Sequence, residues 1–274
     1  MSFEETQQLL QTFQITPNKL LGQNFLIDHT LYPQLASYAE LSPSDVVLDA
    51  GAGFGFLSRF LANKCQKVIA VEKDPKISSV LHQQANKLDN LHIVEGDVLN
   101  ALLPPFNKAI AAPPYYISSE LVLFLLKHHI NCAVLIVQKE FANRLAAKVG
   151  TELYNWLTVT VYQKAHVELL DPIPKELFYP QPKVDSIILR IKPWQPPHAP
   201  FTVKDPVFFE HMVKWLFTER NKKLSNALTP FIKSTLKLSP QEFQKIIKAL
   251  PYHEMRPREI TPENFGAIAN AFTH

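Results

Sequence analysis

Three glycines and three acids stand at intervals that suit a nucleotide-like ligand. Gly51, Gly53 and Gly55 crowd into five positions of a chain that has only 7 glycines in 274 residues. Glycine tolerates positive φ and lets backbone approach a ligand closely, so this loop is where contact is expected. Asp49, just before the loop, suits an ammonium group. Glu72, 21 residues past Gly51, is spaced to accept both hydroxyls of a ribose. Asp97 can accept a hydrogen bond from an adenine amine. The dinucleotide fingerprint G-x-G-x-x-G wants its third glycine where Phe56 stands. The spacing therefore suits S-adenosylmethionine better than NAD, because its carboxylate and amine need no pyrophosphate cradle. Farther along, Ala112-Pro113-Pro114-Tyr115 has the form of a turn that aims a carbonyl at an adenine amine and stacks an aromatic ring on a flipped base.

These residues fall at the ends of predicted strands. Residues 46–50, 67–74, 91–99 and 108–119 begin with short apolar runs rich in β-branched residues, and 132–138 is another. Helical spacing fills the intervals after the glycine loop, over 75–89 and over 120–129. The alternation predicts a doubly wound, Rossmann-like α/β sheet with helices on both faces and ligands at the carboxyl ends of the strands. Beyond it we expect a helix over 140–148, strand over 157–170 and a strand over 185–192. Residues 192–206 hold five prolines and read as a linker. Residues 207–274 are helical by period. The expected domains are thus a Rossmann-like sheet domain over 1–194 and a small all-helical domain over 195–274.

Composition narrows the function classes. The chain has 46% hydrophobic and 19% charged residues, which is globular. The net charge of +3 is unevenly spread, with 11 Lys/Arg against 7 Asp/Glu in 199–274. The excess positive charge therefore belongs to the C-terminal segment, where Lys214, Arg220, Lys222 and Lys223 form a candidate surface for an RNA backbone. Cys65 and Cys132 belong to no ligand pattern, so neither a disulfide scaffold nor a metal is implied and a reducing, cytoplasmic setting is expected. No apolar run approaches the roughly 20 residues of a membrane span.

Across almost its whole length the sequence resembles the KsgA/Dim-type adenine N6-dimethyltransferases of small-subunit ribosomal RNA. The residues that carry the resemblance are Asn18-Lys19-x-Leu21-Gly22-Gln23-Asn24-Phe25-Leu26, Asp49 through Gly55, Glu72, Gly96-Asp97-Val98 and Pro114-Tyr115-x-Ile117-Ser118-Ser119. Gln138-Lys139-Glu140, Phe178-x-Pro180-x-Pro182-Lys183-Val184-Asp185-Ser186 and Arg220-Asn221-Lys222 complete it. The resemblance implies dimethylation of two adjacent adenosines near the 3′ end of small-subunit rRNA, on immature subunits, by a monomer using S-adenosylmethionine. It implies cofactor contacts from Asn24, Leu26, Gly51, Glu72, Asp97 and position 112. Tyr115 would stack on the target base and Phe178 would lie on the base's other face.

Two positions depart from the family pattern. The family turn begins with asparagine, and Ala112 has no side-chain acceptor for the adenine amine. Only a backbone carbonyl remains, that of Pro113. Losing one preorganised group of this kind costs roughly 3–4 kcal/mol, about 100- to 1000-fold in rate. Trp156 stands where the family has an arginine. Two readings follow: an rRNA adenine methyltransferase, or a catalytically impaired relative that binds immature small subunits as an assembly factor. A DNA adenine methyltransferase fits less well, because the rRNA-family segments extend beyond the catalytic core.

Overall fold

A computed structural model describes residues 3–236, 239–250 and 252–273. Its centre is a seven-stranded sheet of β1 (Val46–Ala50), β2 (Lys67–Glu72), β3 (Leu91–Glu95), β4 (Lys108–Ala111), β5 (Cys132–Gln138), β6 (Ala165–Ile173) and β7 (Ser186–Pro193). The spatial order is β3-β2-β1-β4-β5-β7-β6. Strands β1 to β5 run parallel, and β7 is antiparallel to β5. The central strands are buried on both faces: Val47, Leu48, Ile69, Ile110, Val134 and Ile136 are solvent-free. That is why they read as continuous apolar runs without alternation. The order reverses between β1 and β4, so a crevice opens at their carboxyl ends. The glycine loop and the Pro113-Pro114 turn leave the sheet at that crevice.

The chain forms two compact units that are discontinuous in sequence. One comprises Met1–Ala142 with Glu168–Pro193, and the other Asn143–Val167 with Trp194–His274. The expected cut at 194/195 leaves residues 143–167 with the sheet, whereas they pack with the C-terminal helices. The physical reason is Tyr154, a fully buried ring whose hydroxyl donates to the Ile260 carbonyl at 2.8 Å. It shares a core with Val159, Phe209, Met212, Leu216, Leu228 and Phe265.

The expected strand over 157–170 is also corrected. Trp156–Lys164 is a helix, and β6 begins only at Ala165. The run Thr158-Val159-Thr160-Val161 has strand propensity, but Leu157 through Val161 are all buried with no alternation. A capping box starts the helix: Asn155 accepts from the Leu157 amide at 2.8 Å, and Thr158 Oγ1 accepts from the Asn155 amide at 3.3 Å. Tertiary burial overrides a propensity worth only tenths of a kcal/mol per residue. No helix among the described residues is long and apolar enough to cross a membrane.

At the amino ends of β1 and β4, opposite the crevice, a buried ionic network ties the two strands together. Lys108 Nζ donates to the Ala39 carbonyl at 2.7 Å and to the Glu40 carbonyl, and pairs with Asp45 at 3.1 Å. Asp45 also accepts from the Ser42 amide and from Asn107 Nδ2. Burial pushes the Asp45 carboxyl up, but these donors and Lys108 together bring it below its ordinary value. Replacing Lys108 with methionine leaves that carboxylate buried without its cation. We expect a loss of about 3–5 kcal/mol in urea unfolding. The stability Asp45 contributes is complete above the ordinary carboxylate range. It fades as pH falls through the lowered folded value. Asp45→Asn should therefore be less stable than the parent at neutral pH, with the gap in urea unfolding followed by circular dichroism narrowing as pH falls through the carboxylate range.

Candidate active site

The glycine loop is shaped by what presses on it. Gly51 has φ +81° and its amide donates to the Val71 carbonyl at 2.9 Å. A Cβ at this position would lie 2.8 Å from Pro114 Cδ, so the loop and the proline turn are nested against one another. Gly55 opens the helix Phe56–Ala62 at φ +81°, and a Cβ there would meet Leu81 Cδ1 at 2.2 Å. Neither position accepts another residue without moving a neighbour.

The three predicted acids line a single cleft. Glu72 is 8% exposed; its Oε2 accepts from the Gly53 amide at 2.8 Å and its Oε1 from the Asp74 amide at 2.9 Å. Burial pushes its pKa up. Asp49 is 1% exposed and accepts from Ser58 Oγ at 2.6 Å. Burial raises it to about 7, with Glu72 adding repulsion. Asp97 accepts from the Leu99 amide and from Lys73 Nζ, each at 3.0 Å. Those contacts outweigh its burial and hold its pKa below the ordinary value. Two buried carboxylates thus face the cleft with spare lone pairs and incomplete compensation. That donor set fits a ligand that brings hydroxyls and a cation, which is what the ribose and ammonium of S-adenosylmethionine provide.

The same cleft, about 1100 Å³ out to solvent, is lined by Asn24, Leu26, Gly51, Gly53, Ala112, Pro113, Pro114, Tyr115 and Phe178. The structure therefore brings together every residue expected for the cofactor and the base. A two-stranded antiparallel ribbon, Phe25–Leu26 paired with Phe178–Tyr179, carries Asn24 and Leu26 to it and holds Phe178 in place. Phe25 stacks on Phe54 of the glycine loop, with centroids 4.8 Å apart. Phe178 lines the cleft beside Tyr115. It is 3% exposed and stands edge-on to Tyr115, with centroids 6.4 Å apart and planes at 73°.

Two site residues were not singled out from sequence. Ser186 bonds to the Tyr115 hydroxyl, and Lys73 pairs with Asp97. The first lies at the end of a quoted motif and the second beside Glu72, but neither spacing signals a contact. The four basic residues expected on the RNA surface lie in the second unit, in the helix Pro206–Thr218 and the turn after it. Each has a partner. Lys214 sits 4.6 Å over the Trp156 ring, Arg220 reaches the Thr151 and Glu152 carbonyls, Lys222 pairs with Glu219, and Lys223 pairs with Glu254.

A Gly51→Ala variant tests the nested loop. The added methyl must displace the Pro113-Pro114 turn and strain a positive φ, at about 1–2 kcal/mol from the backbone alone. We expect at least about a tenfold weaker affinity for S-adenosylhomocysteine by calorimetry.

Comparison with known proteins agrees with this geometry. The family model described as ribosomal RNA adenine dimethylase matches residues 15–255. A Methanosarcina mazei protein named "Probable ribosomal RNA small subunit methyltransferase A" is 38% identical over 250 residues, 90% of each chain. Its Methanothermobacter thermautotrophicus namesake is 35% identical over 270 residues, covering 97% of this chain and 95% of the other. Among solved structures, a dimethyladenosine transferase from Plasmodium falciparum superposes with a TM-score of 0.78 at 25% identity, covering 88% of this chain and 94% of that one. The 23S rRNA methyltransferase ErmE gives 0.66 at 27% identity, covering 92% and 100%. The chain belongs to the ribosomal RNA adenine dimethylase family, whose methyl donor is S-adenosylmethionine.

Proposed function

We propose that this protein transfers methyl groups from S-adenosylmethionine to N6 of two adjacent adenosines near the 3′ end of small-subunit rRNA, acting as a cytoplasmic monomer on immature small subunits. The observation that carries this reading is that the Ala112-Pro113-Pro114-Tyr115 turn leaves β4 directly into the cleft lined by Asp49, Glu72 and Asp97. The names of the relatives support the substrate class. The free, buried thiols of Cys65 and Cys132 suit a reducing compartment.

When bound, S-adenosylmethionine supplies an electrophilic methyl group. The protein's task is to make the N6 lone pair available, since it is delocalised into the adenine ring. In this reading the Pro113 carbonyl accepts one N–H of the amine and draws the nitrogen toward tetrahedral geometry. Ala112 offers nothing to the second N–H. The Tyr115 phenol, kept neutral because burial raises its pKa, presents its ring to the base. Glu72 and Asp97 hold the ribose and adenine of the donor, Asp49 faces its ammonium, and Asn24 and Leu26 close the pocket beside it. Lys214, Arg220, Lys222 and Lys223 serve the rRNA backbone. The pairings of Lys222 with Glu219 and of Lys223 with Glu254 are exposed and screened by solvent, so phosphates can replace those carboxylates.

The test is transfer of labelled methyl to unmodified small subunits. We expect dimethyladenosine as product, with Ala112→Asn faster by about 100- to 1000-fold. If the protein is silent yet binds subunits, and Ala112→Asn restores transfer, the missing acceptor makes it a binding factor and the catalytic reading falls. A second expectation concerns pH. Asp49 must ionise to face an ammonium, and in the free protein it does so at about 7. Donor affinity should therefore fall about tenfold per pH unit below 7 and level off above, until the donor's own amine deprotonates near 8. Calorimetry across pH 5.5–7.5 reads it, and Asp49→Asn should flatten the slope.

A further inference from the structure

The Tyr115 ring is held from two sides. Its carbonyl accepts from Ser118 Oγ at 2.8 Å, which fixes the backbone of the turn. Its phenolic oxygen lies 2.7 Å from Ser186 Oγ, with either hydroxyl able to donate. Ser186 is fully buried and does not line the cleft. It is the first residue of β7, and its position is set by antiparallel pairing with Gln138 at the carboxyl end of β5. The sheet thus delivers one hydroxyl to the tip of the aromatic ring from 71 residues away. A phenolic O–H prefers the plane of its ring, because the oxygen lone pair conjugates with the π system. A partner at a fixed point therefore selects the plane of the ring as well as its position. The edge-on Phe178 ring closes the remaining side.

We propose that Ser186 is a positioning residue of the target-base pocket, orienting Tyr115 so that its face is preset for stacking against the flipped adenine. The inference deepens the methyltransferase reading and rests on it for the identity of the base. A preset ring face spares the base the cost of ordering the side chain at the moment it enters.

The experiment is a double-mutant cycle of Ser186→Ala and Tyr115→Phe, read in three ways. The first needs no activity: carbon-13 relaxation of labelled aromatic side chains in the free protein. Tyr115 ring motion should increase in Ser186→Ala while the affinity for S-adenosylhomocysteine stays within about twofold of the parent. The second is fluorescence of 2-aminopurine placed at the target position of a small-subunit rRNA fragment, whose stacking signal should weaken in either single variant. The third is methyl transfer, where each single variant should lower kcat about tenfold at unchanged donor KM, and the double variant should be no worse than either alone. An unchanged Tyr115 ring order in Ser186→Ala overturns the inference whatever the protein's activity. So do additive losses in the cycle. If ring order responds as expected but the parent neither engages 2-aminopurine nor transfers methyl, the positioning contact stands and the methyltransferase reading fails.

Discussion

The close packing of two loops at the switch point is the constraint on which the site depends. β1 and β4 are sequential in neither chain nor function, yet the strand order makes them neighbours. Their exits therefore meet, and Gly51 lies against Pro114 at a distance that leaves no room for a β-carbon. One loop contacts the donor and the other presents the acceptor base in the proposed reaction. Because each loop is the wall of the other, the two substrates' places are set by a single steric contact. A displacement of either loop is felt at both.

Electrostatics distinguish the two ends of those strands. At the amino ends, Lys108 and Asp45 are buried with their hydrogen-bonding needs met by each other and by nearby backbone. At the carboxyl ends, Asp49 and Glu72 have pKa values raised by burial, although Ser58 donates to Asp49 and the Gly53 and Asp74 amides donate to Glu72. The difference is that Asp45 has the Lys108 cation beside it, whereas burial dominates at Asp49 and Glu72. In the proposed reaction the ammonium and ribose hydroxyls of the donor would meet these two acids.

The base side has a different economy. Hydrogen-bonding power at the turn is reduced by Ala112, which lines the cleft with a methyl group. Aromatic and steric order at the same turn is intact, with Tyr115 tied to Ser186 and backed by Phe178. The turn thus keeps its aromatic order while lacking one acceptor, so in the proposed reaction recognition of the base and activation of its amine would be separable.

How much was legible in the sequence differs by element. Four of the parallel strands, β1, β2, β4 and β5, were legible because both of their faces are buried, which leaves a nearly unbroken apolar run. The edge strand β3, with His92 and Glu95 exposed, was legible from its place in the alternation. The glycine loop, Glu72, Asp97 and the proline turn were legible because strand ends are where a parallel sheet must place its ligands. The helix at 156–164 was not, because its β-branched residues favour strand locally and only burial on all sides reverses that preference. The discontinuous second unit was not, because Tyr154 finds its core through residues about a hundred positions away. By itself the sequence determined the parallel strands, the order of their loops and the residue types at the loop tips, all of which follow from local spacing. Only tertiary structure decided that Asp49 is buried with Ser58 as its donor, that Phe178 stands edge-on, and that Ser186 meets Tyr115. Burial, ring angle and long-range pairing are properties of packed neighbours, and a linear pattern does not carry them.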